Sequence, residues 1–142
     1  MMFWDSSAII PLCLTETLSA TMRKLFEKDS LIAVWWGTQI ECCSAFARLR
    51  REKVLSDQDE RYAKVPLHEL AKIWTEINPG ASVRDYALRL LATHPVKSAD
   101  ALQLAAALVW AGRSTHGAHF VCLDRQLRIA AQKEGFTVLP TD

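Results

Sequence analysis

Asp5, Glu41, Asp100 and Asp124 are scattered over a 142-residue chain, yet each occupies the same kind of position in the pattern. Asp5 follows the short apolar run Met2-Phe3-Trp4, and Asp124 follows Phe120-Val121-Cys122-Leu123. Glu41 comes early in the helix predicted after Leu31–Trp35, and Asp100 comes in the first turn of the helix predicted over Ala99–Trp110. In an open parallel α/β sheet, ligands bind beyond the carboxyl ends of the strands. Acids at four such junctions would line one pocket if the strands lie side by side. Burying several carboxylates together without a counter-ion is costly, because like charges raise one another's pKa and desolvation adds to the penalty. Hard divalent cations with oxygen ligands, Mg²⁺ or Mn²⁺, relieve that cost. The chemistry on offer is a water of lowered pKa and a counter-charge for a phosphate.

Each acid also has a structural reading. Asp5 and Asp124 suit helix N-caps, Thr38-x-x-Glu41 is a capping-box pattern, and Asp100 complements a helix macrodipole two residues after Ser98. Capping, however, does not require apolar neighbours. Asp5, Asp100 and Asp124 all have them, which favours a shared site.

The elements that must position these acids follow from apolar periodicity. Met2–Trp4, Leu31–Trp35 and Phe120–Leu123 read as strands, Thr137–Leu139 as a last short strand, and Ile73–Ile77 as a weaker one ended by Asn78-Pro79-Gly80. Helices are expected over Ser7–Leu12, Glu16–Lys28 and Thr38–Lys53, with Ile40, Phe46 and Leu49 among the core contacts. A further helix starts at Ser56 and should break or kink at Pro66 near Val65. Ser82 and Ser98 are expected to cap helices running to Thr93 and Trp110. Ala111–Ala118 reads as a loop, and Asp124 or Arg125 starts a helix to Lys133. Alternating helices and apolar strands imply an α/β fold, a central parallel sheet flanked by helices in three layers, within one domain over residues 1–142.

Composition narrows the function. Seventeen basic and sixteen acidic residues give a net charge of +1, which excludes binding nucleic acid by bulk charge alone. Cys13, Cys42, Cys43 and Cys122 show no C-x-x-C spacing and read as buried thiols in a reducing compartment. The start lacks a basic leader, and no apolar stretch approaches the ~20 residues a bilayer crossing needs, so a cytoplasmic protein with no membrane partner is expected. Arg48, Arg50, Arg51 and Lys53 crowd one helix end. There they complement the dipole or, in the other reading, track phosphates. Trp35 and Trp36, adjacent in a strand, would point to opposite faces where both could be buried.

Four stretches together carry a family resemblance: Asp5-Ser6-Ser7-Ala8 after a short strand, Glu41 early in a helix ending Ala47-Arg48-Leu49-Arg50-Arg51, Lys97-Ser98-Ala99-Asp100-Ala101-Leu102-Gln103-Leu104-Ala105, and Val121-Cys122-Leu123-Asp124-Arg125-Gln126-Leu127. In this order the chain resembles the PIN-domain family, and within it the VapC-type toxins of bacterial toxin–antitoxin pairs. The resemblance implies a PIN-like fold and a Mg²⁺- or Mn²⁺-dependent endoribonuclease with Asp5, Glu41, Asp100 and Asp124 as metal-binding and catalytic acids. It also implies a homodimer and a cognate VapB-like antitoxin. Ser6 and Lys97 are the candidates for phosphate contact, and Lys97 stands where the family more often has arginine. The rival reading is a PIN-fold RNA-binding or protein-interaction module without catalysis. No G-x-G-x-x-G or G-x-x-x-x-G-K-[ST] supports dinucleotide or P-loop chemistry.

Overall fold

The structure, a computed structural model, describes residues 1–141; residue 142, the last of the predicted domain 1–142, lies outside the described residues. Strand β1 (Met2–Trp4) is buried along its length, and its side chains divide with the period of two that a strand imposes. Phe3 enters one core, while Met2 and Trp4 enter the other. Strands β2 (Ile32–Trp35), β3 (Thr75–Ile77), β4 (His119–Val121) and β5 (Thr137–Leu139) complete a sheet in the order β3-β2-β1-β4-β5. Every pairing is parallel, with Phe3 beside Ala33 on one side and Phe120 on the other.

A central strand in such a sheet must be apolar on both faces, since helices cover both. Helices α1 (Ser6–Cys13), α2 (Ser19–Lys28), α3 (Thr38–Arg51) and α4 (Asp57–Ile73) cover one face through Ile9, Met22, Phe46 and Leu67, all inaccessible to solvent. Helices α5 (Ala81–Thr93), α6 (Ser98–Ala111) and α7 (Arg125–Lys133) cover the other through Leu90, Leu104 and Leu127. On that side Phe3 stacks on Phe120 with ring centres 5.6 Å apart, and Phe120 lies 5.6 Å from Phe136. The expected three-layer α/β/α architecture is therefore present. No helix among the described residues is long and apolar enough to cross a membrane.

Several local expectations fail for identifiable reasons. Pro66 neither breaks nor ends its helix: α4 runs unbroken from Asp57 to Ile73. A capping box at Ser56 and Asp59 starts it, and Ala63, Leu67 and Leu70 seat it against the sheet on both sides of the proline. Because α4 takes Ile73, β3 begins only at Thr75. Neither Ser82 nor Ser98 is a cap. The N-cap positions fall to Gly80 and Lys97, without a side-chain bond, and both serines lie inside their helices. Thr38 and Glu41 form no capping box, because both side chains bond to Gln103 instead. Ile40, expected in the core, is 63% exposed. Trp35 is buried but Trp36 is 48% exposed, since β2 ends between them and the strand alternation no longer applies.

Candidate active site

Asp5 is the N-cap of α1 and is almost wholly buried. Its backbone N–H donates to the Val121 carbonyl at 2.9 Å, which prolongs the β1–β4 ladder and brings the carboxylate against the end of β4. Oδ2 accepts from the Ser7 N–H at 3.1 Å, from the Ser7 hydroxyl at 2.5 Å and from the Cys122 thiol at 3.5 Å. Ser7 Oγ is itself held by the Leu123 N–H at 2.9 Å. Burial pushes the pKa of Asp5 up, and the bonds from Ser7 and Cys122 oppose that push.

Glu41 projects from the first turn of α3. Its Oε2 accepts from Gln103 Nε2 at 2.6 Å, and its Oε1 from the Ser6 hydroxyl at 3.4 Å. Burial raises its pKa to about 7, and the charges of Asp5 and Asp100 add to the rise. Asp100, in the first turn of α6, is raised to about 6 by burial and by the charges of Asp124 and Asp5, with Lys97 pulling it down. Asp124 caps α7, its Oδ1 accepting from the Leu127 N–H at 2.9 Å, and lies exposed at the rim.

Asp5, Glu41 and Asp100 are thus electrostatic neighbours, and Asp124 joins them through Asp100. The structural expectations for Asp5 and Asp124 hold: each caps its helix. The donor set, all carboxylate oxygen, suits a hard divalent cation. It is a set of neighbours rather than a finished coordination shell, since among the described residues no group of three or more His, Cys, Asp or Glu side chains is arranged to hold a metal ion as it stands. Ser6 touches a carboxylate, and Lys97 is an exposed cation beside Asp100. The basic cluster lies elsewhere: at ~1.5 Å per residue, Arg51 is about 15 Å along α3 from Glu41, and Arg50 is paired with Glu60 at 2.9 Å.

Four residues that hold the acids escaped the sequence reading. Ser7 read only as the first residue of a helix, Thr38 as half of a capping box, and Cys122 as an apolar thiol. Gln103 did carry a signal, as the polar interruption of the apolar stretch Ala101–Ala111.

A parallel sheet in this strand order with acids gathered at its carboxyl edge defines a class of protein, and the PIN domain family model matches residues 2–140; the chain belongs to the PIN domain family. Among solved structures it is similar to VapC20 of Mycobacterium tuberculosis, a sarcin-ricin loop cleaving toxin, at a TM-score of 0.66 and 15% identity, over 92% of this chain and 95% of that one. It is also similar to VapBC2 of Rickettsia felis, bound to a DNA fragment from its promoter, at 0.65 and 12%, over 99% and 100% of the two chains. FitAcB of Neisseria gonorrhoeae matches at 0.64 and 15%, over 96% and 97%. At these identities the likeness is one of fold. No curated protein matches the sequence.

Proposed function

We propose that the chain is a single-domain, divalent-metal-dependent endoribonuclease of the VapC type, acting on RNA in the cytoplasm as a homodimer and restrained by a cognate VapB-like antitoxin. The observation that supports this reading is that the carboxyls of Glu41 and Asp100 lie part-buried beside the carboxylate of Asp5, and Asp100 beside Asp124, so that burial and these neighbouring charges push both upward. Such a group is costly to bury and gains most from a cation. Asp5, Asp100 and Asp124 would hold Mg²⁺ or Mn²⁺, with Glu41 a ligand directly or through water. Bound there, the ion supplies an activated water and neutralises charge on the scissile phosphate.

The protein's own part is to hold the oxygens still. Ser7 and Cys122 fix Asp5, Ser6 bonds Glu41, and Lys97 offers a cation to a phosphate arriving beside Asp100. Support for RNA and for an antitoxin comes from the relatives: VapC20 cleaves the sarcin-ricin loop, and VapBC2 binds promoter DNA. An antitoxin arginine inserted among the carboxylates would neutralise them and exclude metal.

One observation favours the rival reading of a non-catalytic module, namely the absence of a finished metal-holding group among the described residues. The two separate in one assay. A mixed RNA pool incubated with the protein should be cut with Mg²⁺ and left intact with EDTA. Intact RNA under both conditions would favour the module.

A further inference from the structure

Among the described residues, two polar side chains are wholly shut off from solvent, Thr38 on α3 and Gln103 on α6, and they are bonded to each other. Gln103 sits in a helix whose other fully buried residues are Ala101, Leu104, Ala105, Ala106 and Ala107. A carboxamide in such a place is unfavourable unless its atoms find partners. Its Nε2 has two, Thr38 Oγ1 at 3.0 Å and Glu41 Oε2 at 2.6 Å, whereas its Oε1 has none. Two acceptors on α3 take both amide hydrogens, and they fix which end of the amide faces Glu41, since an oxygen there would oppose a carboxylate.

The spacing makes this more than a local bond. Thr38 and Glu41 are three residues apart on α3, and Asp100 and Gln103 are three apart on α6, so each pair shares a helix face. Gln103 therefore joins the face carrying Asp100 to the face carrying Glu41. We propose that Gln103 is a positioning residue: its amide, braced by Thr38, sets Glu41 at a fixed distance from Asp100 so that both carboxylates serve one bound cation. The proposal rests on the metal-dependent reading above.

Calorimetric titration of the metal-free protein with Mn²⁺, alongside thermal melts, tests it. Gln103→Leu should weaken Mn²⁺ binding about tenfold, the lower end of what loss of a ligand's hydrogen-bond partner costs. Its melting temperature should change little, since loss of the unpartnered Oε1 offsets the partner taken from the buried Thr38 hydroxyl. In a Glu41→Ala background the same change should leave Mn²⁺ affinity unaltered, because the group being positioned is gone. Thr38→Val, a smaller change, should move affinity the same way by less. In wild-type protein the Gln103 side-chain amide resonance should shift on adding Mg²⁺. Undiminished Mn²⁺ affinity in Gln103→Leu, a loss that persists without Glu41, or a Gln103 resonance indifferent to Mg²⁺ would overturn the positioning role while leaving the nuclease reading intact. Wild-type protein that binds no Mn²⁺ would overturn both.

Discussion

The caps that start α1 and α7 are Asp5 and Asp124, two of the four acids proposed for the site, so in that reading one side chain serves both the fold and the chemistry. The roles pull against each other at Asp5. Accepting hydrogen bonds from Ser7 favours the ionised form, yet burial among Trp4, Val121 and Cys122 disfavours it. Asparagine at this position keeps an oxygen for the cap and removes the charge. Asp5→Asn is therefore expected to abolish Mg²⁺-dependent cleavage while raising the metal-free melting temperature by about 2–6 °C, the scale of ~1 kcal/mol in a domain of this size. Cleavage assays and calorimetric melts on the same preparation read both effects, and a fully active Asp5→Asn protein would remove Asp5 from the chemistry.

At the scale of elements, α4 shows tertiary packing overriding a local rule. Pro66 has no N–H to give the helix ladder, yet Leu67 and Leu70 are buried immediately beyond it and hold the backbone helical. Pro66→Ala restores one backbone hydrogen bond. It should stabilise the protein by about 1 kcal/mol, less than the ~3 kcal/mol of a proline in a helix interior because the unfolded chain also gains freedom. Urea denaturation measures this, and a destabilised variant would mean that the ring's own packing outweighs the missing bond. What could be read in advance follows the same division. Strands β1, β2 and β4 were legible because a strand covered on both faces is written as an unbroken apolar run. Asp5 and Asp124 could be singled out because they stand where such runs end, and Glu41 and Asp100 because they sit in the first turns of α3 and α6. Strand order was not, since no local feature of Thr75–Ile77 says that it lies beside β2. Nor was the network behind the acids: Gln103 meets Thr38 across 65 residues of chain, and Cys122 meets Asp5 across 117.

For the molecule as a whole, the acids couple folding to pH in a direction opposite to that of its ion pairs. Glu134 accepts two bonds from Arg89 and one from His94, at 2.7–3.1 Å, and its pKa is lowered, chiefly by Arg89. Its contribution is present above the ordinary glutamate value and is lost as pH falls. Glu41, raised from 4.5 to about 7, and Asp100, raised from 3.8 to about 6, behave in the opposite sense, as does Asp5. Between the unfolded and folded values the native protein binds more protons than the unfolded chain, so stability falls as pH rises through that window. The two effects overlap only narrowly, ion-pair loss lying below about pH 4.5 and the site's effect running from about pH 4 to about pH 7. In EDTA the melting temperature should therefore decline from about pH 5 to about pH 7.5, and Glu41→Gln should flatten that decline. A divalent cation binds the deprotonated acids of the folded form, so millimolar Mg²⁺ should raise the melting temperature at about pH 7.5 and do little at about pH 5. Melting curves at both pH values, with and without Mg²⁺, decide the matter. A metal-free protein that grows steadily more stable across this range would mean that its carboxylates do not crowd one another at the sheet edge.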